Sequence, residues 1–255
     1  MERKNWTREE EIIVFNLYCK IPFQRSSKNH PDVIKIANII GRSPSAVNMK
    51  IGNFGSFDET LKKQGIVGLT NASRLDREIW DEFNGRWDEL AFESERLIAL
   101  RLGKDIEAEQ SESSIPLGAL REVTIKQRVN QSFFRKAVLT AYNSACCITG
   151  LSNSQLLIAS HIKPWSASSE VEKTNPRNGL CLNALHDKAF DKGFLTVTPD
   201  HVIHISSDIS DIYEGNVVER FFTVYDGKQI ILPEKFAPMS EFLQYHNDVV
   251  FENWR

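Results

Sequence analysis

Three residues in the second half of the chain have types and spacings that could do chemistry together: His161, Asn178 and His186. Neutral imidazole titrates near neutral pH, so His161 can take a proton from water. It then needs an orienting partner on its other ring nitrogen, which Asn178 could provide through its side chain or by tying the loop down. His186 lies three positions after Asn183, a helix-capping residue type, and so falls in the first turn of a helix. From there it can reach over neighbouring strands to ligate a divalent cation. A base for water, a Lewis acid for the leaving oxygen and cations for phosphorane-like charge are the needs of phosphodiester hydrolysis.

The surrounding pattern predicts the elements that must hold these groups. Residues 156–162 read as a short apolar strand and residues 180–182 as a second, followed by a helix from Asn183 to Gly193, where a C′ glycine belongs. A helix over 130–144 (Phe133, Phe134, Ala137, Val138 and Tyr142 on its apolar side) precedes them. A hairpin about Pro199-Asp200, a turn at Tyr225-Asp226-Gly227, a strand at 230–232 and a helix over about 240–251 complete a module that begins near residue 119.

Four phrases occur in order: Cys146-Cys147-Ile148-Thr149-Gly150, Ser160-His161-Ile162-Lys163-Pro164, Asn178-Gly179-Leu180-Cys181-Leu182, and His186 followed by Phe190-Asp191-Lys192-Gly193. With Leu232-Pro233 and Phe242-Leu243-x-x-His246, residues 128–252 resemble the HNH nucleases of ββα-metal fold, in their restriction-endonuclease branch. The resemblance implies His161 as general base, Asn178 as the loop-fixing residue and His186 as metal ligand. It also implies DNA cleavage with Mg²⁺ or Mn²⁺.

Two departures qualify it. Many relatives carry Asp or His just before the base as a second metal ligand, and here that residue is Ser160, a poor ligand. Asp191 is the other candidate for the ion, although positions five apart on a helix point about 140° away from each other. Relatives with a structural zinc carry paired Cys-x-x-Cys motifs. Here Cys147 is followed at that spacing by Gly150, and Cys181 has no partner, so no structural zinc is expected and the cysteines read as small core residues. Lys163 and Arg177, flanking the base and Asn178, are the first candidates to hold phosphate, ahead of Arg128, Arg135 and Lys188.

The first part of the chain reads as a helical unit over residues 1–70. Thr7 with Glu10 forms a capping box, Gly41 stops a second helix, and Ser43-Pro44 starts a third. The phrase from Ile40 to Val47 resembles Myb/SANT-like and winged-helix readers. That resemblance places Arg42, Ser43, Ser45, Asn48 and Lys50 at or near the leading end of a helix-turn-helix recognition helix, as candidates for DNA contact. A protein–protein module is the other reading. Residues 71–103 look helical and aromatic, a packing or dimerising element, and the charged, serine-rich stretch from Lys104 to Ser114 reads as a linker. Residues 71–118 thus form a connector between the first unit and residues 119–255.

Charge follows the same divisions. Residues 1–70 hold 11 basic against 7 acidic side chains, and residues 119–195 hold 10 against 5; acidic blocks separate and follow them. Such segregation fits local contact with a polyanion. The N-terminus carries no apolar signal core, no run is long enough for a membrane span, and four cysteines in 255 residues make a poor disulfide framework. The expectation is an α+β protein of the cytoplasm, with no membrane partner, that cuts double-stranded DNA in restriction or defence. Cutting both strands with one site per chain suggests a homodimer. The alternatives are a non-catalytic DNA-binding regulator or a nuclease acting on RNA.

Overall fold

A computed structural model describes residues 5–104, 119–211 and 216–251. Contacts divide the chain into two compact units, Met1–Thr140 and Ala141–Arg255. Among the described residues no helix is long and apolar enough to cross a membrane. All but the first residue of the serine-rich stretch read as a linker lies outside the described residues.

Capping chemistry starts the helices of the first unit. Thr7 Oγ1 accepts from the Glu10 amide at 3.3 Å and Glu10 returns a carboxylate oxygen to the Thr7 amide at 3.1 Å, opening α1 (Arg8–Lys20). Pro31 begins α2 (Pro31–Ile40), which Gly41 ends in the left-handed conformation, φ +69°. Ser43 caps α3 (Pro44–Gly55), a short α4 (Glu59–Lys63) follows, and Ser73 caps α5 (Arg74–Phe83). Gly85, at φ +102°, breaks the chain before α6 (Trp87–Arg101).

The aromatic stretch from Trp80 onward is spent inside this unit. Phe15 of α1 packs on Phe54, Trp80 and Trp87, with ring centres 4.8, 5.1 and 6.2 Å away. Trp80, Phe83, Trp87 and Leu90 are buried, so they offer no open face to a second copy. The long α7 (Ala119–Ala141) also belongs largely here. Phe133 stacks on Trp87, Lys136 reaches Asp32, and Thr140 Oγ1 donates to the Lys20 carbonyl.

A buried ionic trio ties α1, α3 and α5 together. Lys50 Nζ donates to Glu11 Oε1 at 2.7 Å and to Asp76 Oδ1, and Asn53 donates to the other Asp76 oxygen at 2.9 Å. One ammonium serves two carboxylates. Burial raises the Glu11 carboxyl to about 7 against the pull of Lys50. Burial also opposes the Asp76 charge, but hydrogen bonds from Lys50 and Ser73 leave that carboxyl lowered. Between 4.5, the ordinary Glu11 value, and about 7, the folded state binds more protons than the unfolded one. Stability from Glu11 is therefore present at low pH and lost as pH rises through that window. Glu11→Gln is expected to flatten this part of the curve, as read from urea midpoints measured across it.

The second unit carries two small antiparallel sheets. Strand β1 (Leu157–His161) pairs with β2 (Gly179–Asn183), setting Ser160 opposite Leu180 and His161 opposite Gly179. Between them the loop runs through α8 (Glu170–Thr174). Asn183 Oδ1 accepts from the Leu185 and His186 amides, starting α9 (Ala184–Asp191), and Gly193 takes φ +69° just beyond. The second sheet pairs β3 (Leu195–Val197) with β4 (Ile203–Ile205). Residues 230–232 do not add the expected strand. They are held at two places instead, Ile230 N to the His201 carbonyl and Ile231 N to the Cys147 carbonyl, and Pro233 then removes a donor. The expected last helix is α-helical over Ser240–Tyr245 and a π-helical turn over His246–Phe251. Helices with small antiparallel sheets make the whole an α+β fold.

Candidate active site

The end of β1 and one face of α9 form the walls of a cavity of about 580 Å³. Its lining includes Ser160, His161, Trp165, Asp187, Lys188, Asp191 and Lys192. His161 is half-buried, and its Nε2 lies 2.9 Å from the Lys173 carbonyl. A carbonyl can only accept, so Nε2 carries the proton and the lone pair of the neutral ring is on Nδ1. Burial pushes the imidazole below its ordinary 6.5, while the Lys173 hydrogen bond and the Asp191 charge oppose the shift. The ring is therefore neutral, and basic, at physiological pH. Trp165 stands edge-on to it at 5.4 Å between centres, with Lys173 Nζ over the indole 5.0 Å from its centre.

Asn178 is fully buried and does not supply the partner of His161. Its Oδ1 accepts from the Lys163 amide at 2.8 Å, and its Nδ2 faces the carbonyls of Lys163 and Glu172 and the Ser168 hydroxyl at 3.2–3.4 Å. It fastens both ends of the loop that carries the Lys173 carbonyl to His161. Asn178 thus meets His161 only through that loop.

His186 sits apart from the cavity lining. It is 1% exposed, Asn183 Nδ2 donates to its Nδ1 at 2.8 Å, and its Nε2 donates to the Phe221 carbonyl at 2.7 Å. Phe222 and Tyr225 meet the ring edge to face. It also reaches the Cys146 thiol: burial alone would raise that thiol, but hydrogen bonds with His186 and Thr149 hold it down to about 6. Cys146, Cys147 and Cys181 are free and buried.

The lining includes a residue the sequence reading passed over, Asp187. Burial raises its carboxyl, the Asp191 charge adds to the rise, and Ser160 and Lys188 oppose it. The signal was available, because Asp187 and Asp191 are four residues apart and positions i and i+4 share a helix face. Lys188 and Lys192 bring positive charge to the same wall. Lys163 is committed elsewhere, its Nζ bound to both Glu172 oxygens at 2.8–2.9 Å. Arg177 is exposed and spends its Nε on the Ala237 carbonyl.

Whether this wall suits a divalent cation can be judged from its donors. Among the described residues no group of three His, Cys, Asp or Glu side chains is placed to hold a metal ion. Two carboxylates and the hydroxyl of Ser160, a residue 3% exposed, nevertheless line one cavity, with the hydroxyl beside the Asp187 carboxylate. Such a sparse oxygen set fits ions that keep most of their waters and bind through one or two carboxylates plus substrate phosphate.

The candidates of the first unit are spread differently. Lys50 is 5% exposed inside its trio, and Arg42 holds Glu10 at 2.7 Å and the Asn5 carbonyl. Ser43 spends its hydroxyl on the Ala46 amide. Ser45 is exposed, and Asn48 is half-buried with its Oδ1 unbonded.

Residues 146–198, which contain β1, β2 and α9, match the family model described as HNH endonuclease. The match covers the cavity lining from Ser160 to Lys192 and identifies this segment as a nuclease motif of proteins acting on nucleic acid. No curated protein matches the chain.

Proposed function

We propose that this nuclease motif serves a metal-dependent endonuclease that hydrolyses DNA phosphodiester bonds in restriction or defence. Its catalytic part lies in the second unit, Ala141–Arg255, and the helical first unit, which takes in α5, α6 and most of α7, directs it to DNA. One observation carries the reading: a neutral imidazole, fixed in one tautomer, at a cavity whose other wall offers oxygen donors and two lysines.

In this reading His161 Nδ1 takes a proton from water as the water oxygen bonds to phosphorus. The ester P–O bond breaks, and the departing oxygen acquires a proton from solvent. Lys173 O keeps the ring in its productive tautomer, and Asn178 keeps that carbonyl in place. Lys188 and Lys192 offset phosphate charge at the cavity, and Arg177, open to solvent, extends that role along the strand. A divalent cation held by the oxygen donors of this wall supplies Lewis-acid stabilisation of the leaving oxygen.

Purified protein incubated with supercoiled plasmid and Mg²⁺ or Mn²⁺ is expected to yield nicked and linear DNA, and EDTA to prevent it. Structured RNA in parallel reactions tests the sugar. Intact plasmid with cleaved RNA would reassign the substrate, and no cleavage of either would overturn the reading.

A further inference from the structure

The loop between β1 and β2 is closed by two rungs that run side by side. His161 Nε2 donates to the Lys173 carbonyl at 2.9 Å, across 12 residues of chain. Two residues on from His161 and one back from Lys173, Lys163 Nζ donates to both Glu172 oxygens at 2.8–2.9 Å, across 9 residues. The first rung aims the base, and the second spans the same gap.

Both ends of the second rung are already anchored. Glu172 Oε2 also accepts from the Ser169 amide at 2.8 Å, as part of the capping box that starts α8. The Lys163 amide donates to Asn178 Oδ1 at 2.8 Å, and the Lys163 carbonyl accepts from Ser168 Oγ at 3.0 Å. Its ammonium lies over the Tyr245 ring, 5.4 Å from the centre. The hydrogen bond from Lys163 holds the Glu172 carboxyl below its ordinary 4.5, so the pair is charged at neutral pH. A surface ion pair is usually worth little, because two long side chains must be ordered and water screens them. Here the side chains are only 19% and 27% exposed, and the ammonium meets both carboxylate oxygens.

Carbonyls in the last turn of a helix have no partner within it. In α8 the Glu172 carbonyl takes the Asn175 amide and Asn178 Nδ2, and the Lys173 carbonyl takes His161. Glu172 and Lys173 are consecutive, so anchoring the one fixes where the other's carbonyl points. We propose that Lys163 and Glu172 are positioning residues for the general base of the nuclease reading above, on which this inference rests. Their ion pair holds the Lys173 carbonyl against His161 Nε2, which keeps Nδ1 for the proton taken from water. Lys163 is then a brace for the base and not a phosphate ligand.

The test reads the Nε2 proton itself, in the full chain labelled with ¹⁵N-histidine. A ring proton held by a carbonyl and shielded from water gives a one-bond ¹H–¹⁵N signal, and one released to solvent exchanges and loses it. Wild-type protein should show this signal for His161, assigned by its absence in His161→Ala. His186 and His246, whose Nε2 atoms donate to the Phe221 and Phe190 carbonyls, serve as internal controls. Glu172→Gln, which keeps an acceptor for the Ser169 amide, and Lys163→Met should each lose the His161 signal and keep the other two. Lys163→Arg should retain all three. In plasmid nicking, kcat of the first two variants should fall by up to about 10²-fold, the cost of misplacing a catalytic group. KM should change little, and Lys163→Arg should cut like wild type. A variant that loses all three signals has unfolded, and the remaining one decides. A His161 signal that persists in folded Lys163→Met, or nicking lost through KM alone, overturns the proposal and returns Lys163 to phosphate. Failure of the nuclease reading looks different: signals that follow the ion pair as described, in a protein that cuts neither DNA nor RNA.

Discussion

His161→Ala is expected to abolish nucleic-acid cleavage while leaving the fold and cation binding intact. Two imidazoles among the described residues line the cavity with an Nε2 proton fixed by a backbone carbonyl, and His161 is the less deeply buried of them. His246 also borders the cavity, but its Nδ1 engages Thr196, its Nε2 engages the Phe190 carbonyl, and its ring stacks on Phe190 at 3.6 Å. Burial pushes His246 to about 4, as befits a core residue. Losing a positioned base costs about 10²–10⁴-fold in rate, which would bring plasmid nicking near background. The pH profile gives a second check. A general base works when neutral, and burial holds His161 below 6.5, so the acid limb of kcat/KM should lie below pH 6.5 with a plateau above it. Nicking undiminished in His161→Ala would sink the assignment of the base.

What the sequence made legible around this site was local. Asn183 as cap, Gly193 as the left-handed stop, and strands ending at His161 and beginning near Leu180 follow from capping and alternation, which act over a few residues. Partners at long separation were not legible. The acceptor that orients His161 is a backbone carbonyl, Lys173, which has no side-chain signature, and the seat of His186 depends on Phe221, 35 residues away. Asp187 lay between these cases. The five-residue spacing of His186 and Asp191 already argued against one shared ion, and the same helical geometry, applied one residue later, puts Asp187 with Asp191.

The same limit shows in the first unit, where Lys50→Ala should cause the largest loss of stability of any change at the residues considered for DNA contact. Its position on α3 resembles a recognition-helix cation, but its partners are Glu11 and Asp76, 39 and 26 residues away in the chain. Removing the ammonium leaves Glu11 and Asp76, each 0% exposed, without the cation that pairs with both. Breaking a buried pair in this way costs about 3–5 kcal/mol, whereas replacing a whole buried network by apolar residues of similar size can be neutral. Urea denaturation should therefore show a large fall in midpoint for Lys50→Ala, largely restored when Glu11→Leu and Asp76→Leu are added. The mutant also separates two roles that an alanine scan of DNA binding would confuse. Lys50→Ala should weaken binding only in proportion to unfolding. A Ser45→Glu change at the exposed start of α3 should weaken binding by like-charge repulsion with phosphate and leave the midpoint where it was. If Lys50→Ala stays fully folded and still loses DNA, the ammonium leaves its carboxylates to meet phosphate, and the trio is a binding device instead of a structural one.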